Sequence, residues 1–180
     1  TAYRRQRQMC IRDSITRLRR EARAVVGRCC GASEAHAVIF AGSGATAGIN
    51  RLVHLFGVHA AIAAGRKVRV IIGPYEHHSN ILPWRECGAD IIELPESPEG
   101  GPDMAALAAA LEAPDGTLVV CALSAASNVT GIVADVPAIT RLVKRSGAKM
   151  LWDYAGGAPY LSIQMLSLIH ISEPTRLLSI

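Results

Sequence analysis

The sequence predicts an α/β fold: a mostly parallel sheet with helices on both faces. Three observations lead there. Short apolar, β-branched runs alternate with longer segments of helical spacing, the pattern of strands joined by crossover helices. Four of the runs, HAVIF, VRVII, TLVVCAL and AKMLW, are each followed at once by a polar or glycine-rich segment. Half of the 180 residues are apolar while 4% are aromatic, which suits a core of Ala, Val and Ile.

Each element follows from its local pattern. Residues 15–30 are Arg-rich with helical spacing, and residues 36–40 read as a short strand. Residues 45–57 read as a helix ending at Gly57, and 67–72 as a strand. Residues 80–86 form a short helix with Pro83 near its start, and 90–94 a strand. The turn-rich PESPEGGPD leads into an Ala-rich helix over 104–111, where Asp103 is placed to cap the free N–H groups. Residues 118–123 are a buried strand. A helix over 135–145 is capped by Asp135, has Lys144 and Arg145 at its negative end, and stops at Gly147. Residues 149–152 are the last strand.

The termini read differently. ATGTGTATAAGAGACAG encodes M-C-I-R-D, as at residues 9–13. Its reverse complement, CTGTCTCTTATACACAT, encodes L-S-L-I-H, as at 166–170. Residues 1–14 and 166–180 are therefore expected to be adapter-derived scar from a transposase-based sequencing library, leaving 15–165 as one partial domain. The charge follows the same division. The whole chain carries 19 Lys+Arg against 15 Asp+Glu, a net of +4. With Arg4, Arg5, Arg7, Arg12, Arg176, Asp13 and Glu173 set aside, 14 basic residues face 13 acidic ones, a net of +1. Nucleic acid is therefore not an expected partner. Cys29, Cys30, Cys87 and Cys121 show no C-x-x-C spacing, so neither a zinc site nor a disulfide framework is indicated. No run is long and apolar enough to suggest a membrane span or signal peptide, and a cytoplasmic setting is expected.

The segments after the strands carry the chemistry. In open α/β sheets, ligands bind beyond the carboxyl ends of the strands. Gly42-Ser43-Gly44-Ala45-Thr46 opens a helix; glycines let the backbone approach an anion, and the helix start offers unpaired N–H groups. The spacing is G-x-G-x-x-x-G, which misses the Rossmann fingerprint, and no Gly-Lys-Ser/Thr is present for a P-loop. Glu76-His77-His78 follows the second strand. A His there can lie on an aromatic ring or move a proton, and no third residue completes a metal set. Asn128, expected to be buried, and Asp153 follow two more strands. A carboxylate facing a pyridine nitrogen keeps it protonated, and an amide can bond a phenolic oxygen. Pyridoxal phosphate (PLP) fits this set best.

GSGATAGIN, EHHSNILPW, SNVTGIVADV and WDYAGGAPYL resemble, in order and spacing, the class V aminotransferase group of PLP enzymes, which includes cysteine desulfurases and selenocysteine lyases. The resemblance spans residues 15–165 and implies part of a fold-type I PLP-transferase large domain. It implies that Gly44, Ala45 and Thr46 hold the phosphate, that His77 stacks on the ring and assists proton transfer, that Asn128 lies near the ring oxygen, and that Asp153 pairs with the ring nitrogen. It further implies an amino-acid substrate, a lyase or transferase reaction, and a homodimeric parent.

Two features depart from the group. The desulfurase pattern places G-A-Q after the Asp; here Tyr154-Ala155-Gly156 leaves Gly156 where the Gln would be. The Schiff-base Lys belongs to a later Ser/His-Lys motif. Only Lys67, Lys144 and Lys149 occur here, and none matches. The desulfurase Cys likewise falls outside the matching segments. The chain alone is therefore expected to be inactive and to show no covalent-adduct absorbance with PLP. Two other readings stay open: a Rossmann-type dinucleotide domain and a non-catalytic binding module. The first lacks the acidic residue it needs, since no Asp or Glu lies between Gly57 and Tyr75.

Overall fold

The computed structural model describes residues 2–42, 44–158 and 160–165. Six helices and four strands follow in the order α1 (Ala2–Cys29), α2 (Gly44–Leu55), α3 (Val58–Ala63), β1 (Val68–Ile72), α4 (Leu82–Glu86), β2 (Asp90–Glu93), α5 (Met104–Leu111), β3 (Leu118–Ser124), α6 (Val136–Arg145) and β4 (Lys149–Asp153). A 3-10 turn at His78–Asn80 precedes α4.

The sheet is parallel throughout, in the order β2-β1-β3-β4. Strand alternation sorts its side chains onto two faces. Val68, Val70 and Ile72 of β1 join Val120 and Ala122 of β3 in a core closed by Ile49, Leu52 and Val53 of α2, Val58 of α3 and Trp84 of α4. Ile71, Cys121, Leu123 and Met150 point the other way, onto Leu107 and Leu111 of α5 and Ile139 and Val143 of α6. The expected α/β architecture with helices on both faces is therefore present.

The order has a consequence for function. The chain steps from β1 outward to β2, then returns across β1 to β3 and β4. The connection leaving β1 runs over the α2–α4 face, and that leaving β3 runs over the α5–α6 face. The strand order thus reverses between β1 and β3, the place where open α/β sheets bind ligands beyond the carboxyl ends of their strands.

The expected caps form. Asp103 Oδ1 accepts from the Ala105 and Ala106 N–H groups, and Asp135 Oδ1 from that of Ala138. Gly57, at φ +74°, separates α2 from α3, a short helix in a stretch to which the sequence pattern assigns no element. Residues 36–40 are a correction. They form no strand, and Ile39 and Phe40 remain 46% and 47% exposed. A strand exists by pairing, and the described sheet pairs nothing with this segment. Phe40 instead lies under the Arg23 guanidinium, 5.5 Å from its ring centre. Helix α1 runs unbroken through residues 2–14, and most of its surface from residue 13 onward is exposed. Its end is held by Cys30, whose carbonyl accepts from the Met165 N–H. Residues 166–180 lie outside the described residues.

Candidate functional site

The carboxyl ends of β1, β3 and β4 meet through hydrogen bonds rather than through sequence proximity. Ser124, the last residue of β3, is in register with Asp153, the last of β4. The Ala125 N–H continues the ladder to the Asp153 carbonyl at 2.9 Å. Asp153 is buried, and its Oδ1 accepts from the Ala155 N–H at 2.8 Å, which turns the chain after β4. Pairing in the sheet therefore fixes the carboxylate at the strand end.

From β1 comes Glu76. Its Oε1 accepts from the Ser124 N–H at 2.7 Å, and its Oε2 from the Ser124 hydroxyl at 2.7 Å and from Asn80 Nδ2 at 2.6 Å. Asn80 is fully buried and accepts in turn from Trp84 Nε1 at 3.2 Å. Each buried polar group in this chain of contacts is satisfied, as burial demands. Burial pushes the Glu76 carboxyl above its ordinary range; the bonds from Asn80 and Ser124 oppose that, and the nearby charge of Asp153 adds to it. Gly73 makes the arrangement possible. A Cβ there would stand 2.8 Å from Glu76 Oε1 and 3.1 Å from Leu123 Cδ2.

His77 begins the 3-10 turn as its cap. Its Nδ1 accepts from the Ser79 N–H at 3.2 Å and lies 2.9 Å from the Ser79 hydroxyl. With Nδ1 an acceptor, the neutral ring carries its proton on Nε2. The ring is exposed and meets His78 edge to face, with centres 5.9 Å apart.

Gly44, Ala45 and Thr46 form the first turn of α2, with Gly44 at φ +76°. Gly44 and Thr46 are exposed and Ala45 is partly covered, so the first turn is open to an anion. α2 packs on the 3-10 turn, which brings the two segments to one end of the sheet. Ser43 lies outside the described residues. Asn128, expected to be buried, is exposed. Ser127 explains this: its hydroxyl accepts from the Val129 and Thr130 N–H groups and folds 127–130 into a turn that throws residue 128 outward. A Cβ on Gly156 would touch Asn128 at 3.5 Å, so these two positions face each other.

The sequence reading passed over Glu76, Asn80 and Ser124. Glu76 is the one acidic residue between Gly57 and Trp84, and that isolation was the available signal. Among the described residues, no group of three or more His, Cys, Asp or Glu could hold a metal. None of the three lysines stands at the carboxyl edge: Lys67 precedes β1, Lys149 opens β4, and Lys144 is near the end of α6.

A parallel sheet with a reversal point, an open helix start and a buried strand-end carboxylate defines an open α/β domain with a candidate ligand-binding edge. Comparison with known proteins narrows this. The model of the aminotransferase class-V family matches residues 4–168, and the chain belongs to that family. It is 35% identical over 141 residues to a cysteine desulfurase of Serratia proteamaculans, covering 76% of this chain and 33% of that protein. It is 32% identical over 151 residues to a probable cysteine desulfurase of Halalkalibacterium halodurans, covering 82% and 36%. The fold matches a cysteine desulfurase from Thermococcus onnurineus with a TM-score of 0.68 at 23% identity, over 82% of this chain and 36% of that one. The chain thus spans about a third of the length of the relatives it matches. Family membership sets aside the dinucleotide reading.

Proposed function

We propose that this chain forms the PLP-binding part of an enzyme acting on an amino-acid substrate, in the manner of a cysteine desulfurase or selenocysteine lyase. The observation that carries this reading is the buried Asp153 carboxylate, held at the end of β4 beside the reversal point. When bound, PLP withdraws the electron pair left at a substrate carbon.

The residues suit that cofactor. Asp153 would accept a hydrogen bond from a protonated ring nitrogen, and its charge would favour the proton there. Its bond to the Ala155 N–H leaves the second carboxylate oxygen for that task. His77 presents an exposed ring after β1, able to cover an aromatic face and to move a proton through Nε2. The N–H groups of Gly44, Ala45 and Thr46, with the Thr46 hydroxyl, offer donors to a phosphate. Asn128 is near the loop after β4 through its contact with position 156, and its exposed amide can turn toward a ring oxygen. The covalent lysine is assigned to none of the three lysines present, because Lys67 and Lys149 lie at strand starts and Lys144 lies late in α6. The family resemblance supports a homodimeric parent, the lack of a targeting or membrane-spanning run in the sequence a cytoplasmic setting, and the paired codons an adapter origin for residues 1–14 and 166–180.

Titration of the 180-residue chain with PLP, followed by phosphorus NMR, tests the reading. Asp153→Asn keeps an acceptor for the Ala155 N–H but removes the charge. It is expected to weaken binding about tenfold, the worth of one charge-assisted hydrogen bond. Equal binding by the two chains, or none by either, would overturn the assignment and favour a module that only scaffolds a partner.

A further inference from the structure

We propose that Glu76 is the positioning residue for His77: its carboxylate clamps the turn that carries His77 onto the end of β3. This rests on the reading of His77 as the side chain that faces the cofactor.

The argument is geometric. Residues 76–80 form a closed turn whose exposed side carries the His77 ring and whose inner side carries Asn80. Inside the turn, the Asn80 N–H donates to the His77 carbonyl at 2.8 Å. Nothing in such a turn by itself fixes it relative to the sheet. Two connections do. Asn80 is bound to Trp84, which is fully buried in the α2–α4 core. Glu76, in the loop after β1, accepts from both the N–H and the hydroxyl of Ser124 at the end of β3. Because Glu76 also accepts from Asn80, the two anchors share one carboxylate. The turn therefore cannot rotate against the sheet without breaking both bonds from Ser124 to Glu76 and the bond from Trp84 to Asn80, and polar groups left unpaired there would be costly.

The consequence reaches the imidazole. His77 caps the turn through Nδ1, and that contact assigns its neutral proton to Nε2. Loosening the turn removes the cap, and with it both the tautomer and the ring's direction. Glu76 touches no reacting atom; it acts through His77. Gly73 supplies an independent handle. It is not among the glycines with positive φ, so an alanine there meets no left-handed backbone strain. Its new Cβ would sit 2.8 Å from Glu76 Oε1 and push the carboxylate off Ser124.

The test uses the 180-residue chain labelled with nitrogen-15 at histidine, without any cofactor. Imidazole spectra at a pH where His77 is neutral report the tautomer directly. The unsubstituted chain is expected to show His77 with a protonated Nε2 and an unprotonated Nδ1. Glu76→Ala and Gly73→Ala are each expected to give an averaged mixture of tautomers, while His54 and His59, remote on α2 and α3, keep their signals. If Glu76→Ala does not fold, Gly73→Ala decides alone. An unchanged His77 signal in a folded variant overturns the proposal. PLP titration of the same samples separates the two readings. Loss of the tautomer together with about tenfold weaker PLP binding supports both. Loss of the tautomer in a chain that never binds PLP upholds the clamp and overturns the cofactor assignment.

Discussion

Two regions of the candidate site are built on opposite principles. The strand-end region of Glu76, Asn80, Ser124 and Asp153 is tied together by hydrogen bonds of 2.6–3.2 Å and rests on the core. The helix-start region of Gly44, Ala45 and Thr46 is largely exposed, and its geometry comes mainly from the helix backbone. The first region is costly to disturb whether or not a ligand binds. The second should matter to a ligand and to little else. Stability and binding are therefore expected to separate along this line, and substitutions can test the separation.

The largest effect belongs at the root of the strand-end region. Trp84 is fully buried against Ile49, Val58 and Val70, and it also donates to Asn80. Trp84→Ala removes that packing and leaves the Asn80 acceptor unpaired. A loss of about 3–5 kcal/mol is expected in urea unfolding. A loss below about 1 kcal/mol would mean that the polar clamp stands independently of the core, and the contrast between the two regions would weaken.

A smaller effect concerns pH. Burial holds the Glu76 carboxyl above its ordinary value of 4.5, and the charge of Asp153 acts in the same direction. The Cys121 thiol, beneath in β3, is pushed up by burial and by Glu76, and stays neutral. A raised acid binds more protons in the folded chain than in the unfolded one. Across the window from 4.5 up to its raised value, stability contributed by Glu76 therefore falls as pH rises. It is fully present below that window. Glu76→Gln carries no titrating group and is expected to flatten this part of the stability–pH curve. An identical slope in both chains would assign it to other carboxylates.

These contrasts also explain what was legible in the sequence. The four strands of the sheet, the caps at Asp103 and Asp135, and the two-faced layering follow from local alternation and capping chemistry, which act over a few residues. Residues 36–40 look as strand-like as β1, but strand formation depends on a partner that local pattern cannot supply. The placement of Asn128 failed for a related reason: Ser127, its neighbour, claims the turn and sends it outward. His77 and Asp153 could be proposed because each lies at or shortly after the end of a run that reads as a strand. Glu76 was missed because its partner Ser124 is 48 residues away, and only the β1–β3 pairing brings the two together.

The smallest effect on stability should come with a clear effect on binding, and Thr46→Ala is the cleanest case. Thr46 is exposed in the first turn of α2, and its carbonyl, not its hydroxyl, accepts from Asn50. Alanine keeps that carbonyl and is the better helix former by a few tenths of a kcal/mol. Unfolding free energy is therefore expected to stay within about 0.5 kcal/mol of the unsubstituted chain, or to rise slightly. The hydroxyl, however, is a donor that only a phosphate would use, and its loss should weaken PLP about fivefold to tenfold by phosphorus NMR. Binding is predicted to fall while stability holds, a combination that no general loosening of the fold produces. If binding is unchanged, the anion is held by backbone N–H groups alone, and Ala45→Pro, which removes one of them, becomes the sharper probe. If stability falls with affinity, the helix start is part of the clamped framework after all, and the separation between the two regions does not hold.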